Sequence, residues 1–224
     1  NFINFIDVGA NIGTSIIQLQ NYFENIYAFE PLEKTFSILK LNTENIKKVN
    51  LFKIAASDSK TTKKIYYNEG SFSGASINDL SIHDYLYKKN YDMINVNTLN
   101  QTIQTDTLDN TFKNLNLSNT LIKLDIEGEE YNALKGTQKI IDKYKPIFFI
   151  EINKREIKDK TSLAFDFLKK NEYDFYNIEP LFKPKRNFVS RLLNTKKLVI
   201  KKITELKSEY QLYVCLICVP KNIK

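Results

Sequence analysis

The stretch Phe-Ile-Asp-Val-Gly-Ala-Asn-Ile-Gly at residues 5–13 constrains this chain more than any other feature, because a buried strand there must turn abruptly into a helix. Gly9 and Gly13 permit the sharp turn and let the backbone approach a ligand closely, where a Cβ would clash. A dinucleotide fingerprint needs glycines at positions 9, 11 and 14, and those positions hold Gly9, Asn11 and Thr14. A Walker phosphate loop fails as well, since no Gly-Lys-Ser/Thr follows the turn. The remaining pattern, an acid at the strand end followed by G-x-N-x-G, suits a cofactor with a cationic methionine moiety rather than a pyrophosphate. Asp7 would attract or orient that positive end, directly or through water. Seventeen residues beyond Gly13 the next strand ends at Glu30, whose carboxylate can accept hydrogen bonds from both ribose hydroxyls. Asp58, just after the third strand in AASD, stands where an adenine amino group would be met. Together the turn, the two acids and their strand order predict an S-adenosylmethionine site.

Apolar β-rich runs recur at residues 2–8, 25–30, 49–56, 121–126 and 146–152 with helical patterns between them, which predicts an α/β fold with a mainly parallel sheet. Helices are expected over Thr14 to Phe23, Glu33 to Asn42, Glu129 to Lys143 and Leu163 to Lys170. Two further strands, at 173–178 and 212–219, predict an antiparallel hairpin closing one edge. Residues 61–109 break the rhythm and read as an insertion carrying a hairpin and a loop, beside the carboxyl ends of the strands where substrate sites are usually built. At 224 residues the whole reads as one domain. It begins at an apolar strand without a methionine, so an upstream segment is expected to belong to a longer chain.

Charge is uneven. Residues 154–207 carry 15 Lys plus Arg against 7 Asp plus Glu, and within them 181–204 hold eight basic side chains and no acid. In this basic segment, at about 181–207, Phe188, Leu192, Val199, Ile203 and Leu206 fall near a helical stripe. An amphipathic helix packed on the domain is expected, and peripheral contact with an anionic membrane or a lipid-linked substrate would look similar. No apolar run approaches the roughly 20 residues of a membrane-spanning helix. Cys215 and Cys218 lie in an apolar strand, where side chains three apart point to opposite faces, so buried thiols are expected rather than a metal or redox pair. Such thiols suit a cytoplasmic setting, with a place at the inner membrane face open.

Residues 121–136 read as a strand, an acidic turn and a helix closed by Gly136. Asp125 and Glu127 fall at the strand's carboxyl edge, on the rim of the first glycine turn, where a carboxylate can take a proton from an acceptor hydroxyl or orient it. The same pair could hold a divalent cation with Glu151 as a third ligand. Glu129 and Glu130 occupy the first turn of the helix, where acids favour the dipole. His83, the sole histidine, lies in the insertion and is a candidate general base if that loop folds over the site.

FIDVGANIG, YAFEP, AASD, LIKLDIEGEEYNALKG and PIFFIEIN, in this order over roughly residues 1–153, resemble the FkbM-type methyltransferases. The resemblance implies a Rossmann-like class I methyltransferase fold with seven strands, S-adenosylmethionine as donor, and usually O-methylation of a sugar or polyketide hydroxyl. It implies Asp7, Gly9, Asn11, Gly13 and Glu30 as cofactor residues, with Asp125 and Glu127 near the acceptor. The expected partner is a sugar, glycan or other hydroxyl-bearing small molecule. RNA ribose methylation is an alternative, although D/N-P-P-Y/F and Pro-Cys elements for nucleic-acid chemistry are absent. A further alternative is a non-catalytic module that retains the fold.

Overall fold

The computed structural model describes residues 2–68, 75, 77, 98–180, 198–207 and 213–221. His83, Phe188 and Leu192 lie outside the described residues, as does most of the basic segment.

The chain runs β1 (Asn4–Val8), α1 (Thr14–Leu19), β2 (Asn25–Phe29), α2 (Glu33–Thr43), β3 (Val49–Phe52) and β4 (Ala55–Ala56). It continues through β5 (Thr61–Asn68), β6 (Thr98–Asp106), α3 (Leu108–Thr111), β7 (Thr120–Leu124), α4 (Glu130–Lys135), α5 (Gln138–Tyr144) and β8 (Ile147–Asn153). The last described elements are α6 (Leu163–Lys170), β9 (Tyr173–Pro180), β10 (Leu198–Ile203) and β11 (Tyr213–Pro220). β1 is buried on both faces, which is why it reads as an unbroken apolar run. Phe5 packs with Ile16, Ile26 and Leu39 on one side, while Ile6 and Val8 join the larger core with Leu134, Ile141 and Phe165 on the other.

The main sheet has the order β10-β9-β11-β8-β7-β1-β2-β3. β3, β2, β1, β7 and β8 are parallel, and the chain leaves β1 first toward β2 and later, through β7, toward the opposite side. That reversal puts a crevice at the carboxyl ends of β1 and β7, the place where open α/β sheets bind ligands. β11 inserts antiparallel between β8 and β9. Eight strands therefore stand where seven were expected.

The eighth is β10, and it corrects the helix expected across the basic segment: Leu198–Ile203 is a strand paired antiparallel with β9. Val199, Ile200 and Ile203 are β-branched and fit a pleated surface, and an available edge on β9 decided the matter. Lys201 and Lys202 on this edge strand discourage further pairing, and Lys202 reaches Asp174 at 2.6 Å. Ile203 and Leu206 bury into the main core.

Two other elements differ from expectation. The run 49–56 divides into β3 and β4, and β4 leaves the main sheet to pair with β6 in a small sheet of order β4-β6-β5. β5 and β6 form the hairpin expected of the insertion. The helix expected over Glu129 to Lys143 breaks into α4 and α5 at Gly136 and Thr137. A Cβ at Gly136 would collide with the Ser57 carbonyl, and the Asp109 carboxylate accepts the first free amides of α5, from Lys139 and Ile140. Cys218 is buried in the core and Cys215 half-buried, both free thiols. Among the described residues no helix is long and apolar enough to cross a membrane.

Candidate active site

A cavity of about 650 Å³ opens at the carboxyl rim of the parallel strands. Its floor is the turn after β1. Gly9 and Gly13 both take positive φ, at 83° and 91°, and Asn11 adopts the left-handed region at 51°. A Cβ at Gly9 would strike the Asp125 carbonyl, so this glycine lets the first turn and the end of β7 touch. Gly13 caps α1 and packs against Leu39.

Glu30, at the end of β2, faces this floor. Its Oε2 accepts the Asn11 amide at 3.2 Å and its Oε1 the Leu32 amide at 3.0 Å. Each oxygen keeps further acceptor capacity, so the carboxylate is fixed and still able to receive two hydroxyls. Burial raises its pKa to about 7 despite those two amides. Leu32, Ile54, Ala55, Ala56 and Ile65 make an apolar end beside Glu30, with β5 contributing to one wall.

The opposite end is acidic. Asp7 is fully buried on β1, and register sets it directly across from Lys123 of β7. Lys123 Nζ lies 3.2 Å from Asp7 Oδ1 and 3.1 Å from Asp125 Oδ2, bridging the two acids. Burial pushes the Asp7 pKa up even so, and the two carboxylates push that of Lys123 up against its own desolvation. Asp125 follows β7 and Glu151 lies within β8 beside it, each one residue past the register pair Leu124 and Ile150. Glu127 holds a left-handed φ of 54° in the turn between. That turn is tied down by Glu130, which accepts the Ile126 and Gly128 amides at 3.0 and 2.9 Å. Arg155 donates to the Glu127 carbonyl at 3.0 Å. Burial, then Asp125, raises the Glu127 pKa.

The structure thus brings Gly9, Asn11, Glu30, Asp125 and Glu127 to one cavity. Asp7 does not line it, and stands behind Lys123. Asp58 does not line it either: its carboxylate turns to Lys135 at 2.6 Å, a pair that lowers its pKa. Three lining residues carried no predicted role of this kind. Lys123 sits inside a strand, where nothing local signals a buried partner. Glu129, read as a helix-dipole acid, is buried in the wall with Lys63 at 3.2 Å. Glu151 was considered only as a metal ligand. Among the described residues no three Asp, Glu, His or Cys side chains are grouped to hold a metal ion.

Five carboxylates and one ammonium line the cavity. Such a lining favours a ligand carrying positive charge, and a sulfonium beside an α-amino group supplies it. The fixed glutamate, the glycine turn at the reversal point and the acidic rim sit on a Rossmann-like α/β fold of the methyltransferase class. The methyltransferase FkbM domain matches residues 7–189, and the chain belongs to that family. The fold is similar to that of the FkbM methyltransferase from Methylobacillus flagellatus KT, at 16% identity and a TM-score of 0.51. That match covers 97% of this chain and 43% of the other, so the chain spans less than half the length of that protein. It is also similar to precorrin-6y C5,15-methyltransferase from Geobacter metallireducens GS-15, at 12% identity and a TM-score of 0.47, covering 98% and 80% of the two chains. Magnesium protoporphyrin IX methyltransferase from Synechocystis PCC 6803, solved with bound S-adenosylmethionine, matches at 8% identity and a TM-score of 0.45, covering 98% and 71%. No curated protein sequence matches.

Proposed function

We propose that this chain is an S-adenosylmethionine-dependent O-methyltransferase acting on a hydroxyl of a sugar, glycan or related natural product. The observation that carries this reading is the carboxylate rim formed by Asp125, Glu127 and Glu151 on the cavity that also contains the glycine turn and Glu30. An alcohol is a poor nucleophile until its proton has somewhere to go, and a carboxylate desolvated toward neutral pKa is a competent acceptor. The cofactor supplies an electrophilic methyl group. Glu30 would hold its ribose, the apolar end its adenine, and the acidic end would stabilise its cationic centre and orient the acceptor oxygen.

The lining also weighs against RNA as acceptor. Phosphates brought to five carboxylates and one ammonium meet net repulsion, whereas neutral hydroxyls meet hydrogen-bond acceptors.

The test is incubation with S-adenosylmethionine labelled in its methyl group and a panel of oligosaccharides, nucleotide sugars, polyketide alcohols and structured RNA. Label in a base-stable methyl ether of a non-nucleic-acid acceptor is the expected product. Label confined to RNA, or attached to nitrogen or carbon, would overturn the reading. A folded protein that fails to bind the cofactor in calorimetry would do so as well.

A further inference from the structure

The lining carboxylates are not equivalent, because four of them already have a cation or a fixed set of donors. Glu30 holds two backbone amides at the ribose end. Asp125 is ion-paired with Lys123 at 3.1 Å and Glu129 with Lys63 at 3.2 Å, while Glu127 lies in the field of Arg155. Glu151 differs in that Lys123 acts on it only weakly, through its field and without an ion pair. Its Oε2 accepts a long hydrogen bond from the Cys215 thiol at 3.7 Å, its cross-strand partner on β11. Among the described residues no lysine or arginine lies within ion-pair distance of it.

We propose that Glu151 is the proton acceptor of the reaction, receiving the proton of the hydroxyl that is methylated. The assignment rests on the O-methylation reading above. The acceptor oxygen's lone pair forms the new C–O bond, the C–S bond breaks with its electron pair on sulfur, and the hydroxyl proton passes to a Glu151 carboxylate oxygen. Taking up a proton would cost Asp125 and Glu129 their ion pairs, and Glu151 has none to lose. Burial, with Asp125 and Glu127 adding negative charge, raises its carboxyl to about 7, so it is basic enough to act and still ionised above neutrality. The thiol of Cys215, pushed up to about 12 by burial and by Glu151, stays protonated and keeps the carboxylate oriented.

The test compares wild type with E151Q in three measurements. Affinity for S-adenosylhomocysteine is expected to stay within about twofold, while methyl transfer falls about a hundredfold or more and loses its rise through pH 7. In carboxyl-carbon NMR of the free protein, the glutamate resonance absent from E151Q is expected to titrate near neutrality. If glutamine weakens the fold, E151D, its carboxylate withdrawn by one methylene, should be slower yet keep the pH dependence. An E151Q with wild-type rate and pH profile, or a Glu151 resonance titrating below pH 5, overturns the assignment. A wild type that binds cofactor and methylates no hydroxyl overturns instead the O-methylation reading beneath it.

Discussion

Replacing Lys123 by methionine isolates the charge that holds the two halves of the site together. The methionine keeps most of the apolar stem and removes the ammonium, which stands 3.2 Å from Asp7 Oδ1, 3.1 Å from Asp125 Oδ2 and 3.5 Å from the Gly9 carbonyl. Asp7 is fully buried, and its Oδ2 has no hydrogen-bond partner among the described residues. Without Lys123 its negative charge would be uncompensated, a change that costs about 3–5 kcal/mol for buried pairs. The cost should depend on pH. Asp7 already titrates above its ordinary value in the folded protein because of burial, and the variant raises it further. With the folded value raised, the unfolded chain releases its proton first, so the penalty is small below about pH 4 and grows until the folded group ionises. Urea denaturation of wild type and K123M should give a loss of about 3–5 kcal/mol at pH 8 and a smaller one at pH 5. A loss under about 1 kcal/mol at both, or the same loss at both, would refute the reasoning.

Three further outcomes follow from single contacts. G136A should destabilise the fold by about 3 kcal/mol, the upper end for overpacking, because the added Cβ meets the Ser57 backbone rather than a side chain that can swing away; a neutral melt would count against it. Glu30 is expected to bind ribose as the ionised form, so affinity for S-adenosylhomocysteine should tighten between pH 6 and 8, across its pKa of about 7. E30Q should bind about ten- to a hundredfold more weakly at pH 8 without that trend, and calorimetry showing equal affinities would contradict the assignment. Y173F removes a buried hydrogen bond from the tyrosine hydroxyl to the Pro146 carbonyl at 2.9 Å and should cost about 1–2 kcal/mol in chemical denaturation.

What was legible in the sequence is what repeats locally. The parallel strands are apolar on both faces and the helices between them carry one apolar side, so both periods survive in the residue string. The glycine turn and Glu30 were legible because spacing alone separates this turn from nucleotide-phosphate loops. β10 was not, since Val199, Ile203 and Leu206 satisfy a helical spacing, and only the free edge of β9, reached at Ile203 through Phe175, makes the segment a strand. The Lys123 role was hidden for a related reason. Its partner Asp7 is 116 residues away, and the β1–β7 register alone brings them together. Asp58 shows what position without direction leaves out: it follows the expected strand, yet β4 has left the main sheet by then, and its carboxylate pairs with Lys135.

The crowding of carboxyls near the rim has a consequence for the free protein. Glu30, Glu151 and Glu156, the last in the short turn Lys154–Glu156 that follows β8, are raised to about 7 and Glu130 to about 8, in each case first by burial. All four would ionise near 4.5 in the unfolded chain, so between that pH and their folded values the unfolded state binds fewer protons. Stability must then fall as pH rises, by up to about 1.4 kcal/mol per pH unit for each carboxyl within its window. Exposed pairs such as Asp58 with Lys135, whose carboxylate is held below its ordinary value, act the other way only at lower pH. Thermal melts at fixed ionic strength should therefore show a maximum at about pH 4–5 and a decline of several degrees by pH 8.5. S-adenosylmethionine, cationic at its sulfur and its amino group, should lessen the decline, because it meets the ionised rather than the protonated rim. A melting temperature that stays level or climbs from pH 6 to 8.5 would mean that these carboxyls are better solvated than their burial implies. The rim would then lack the basicity that the proposed chemistry draws on.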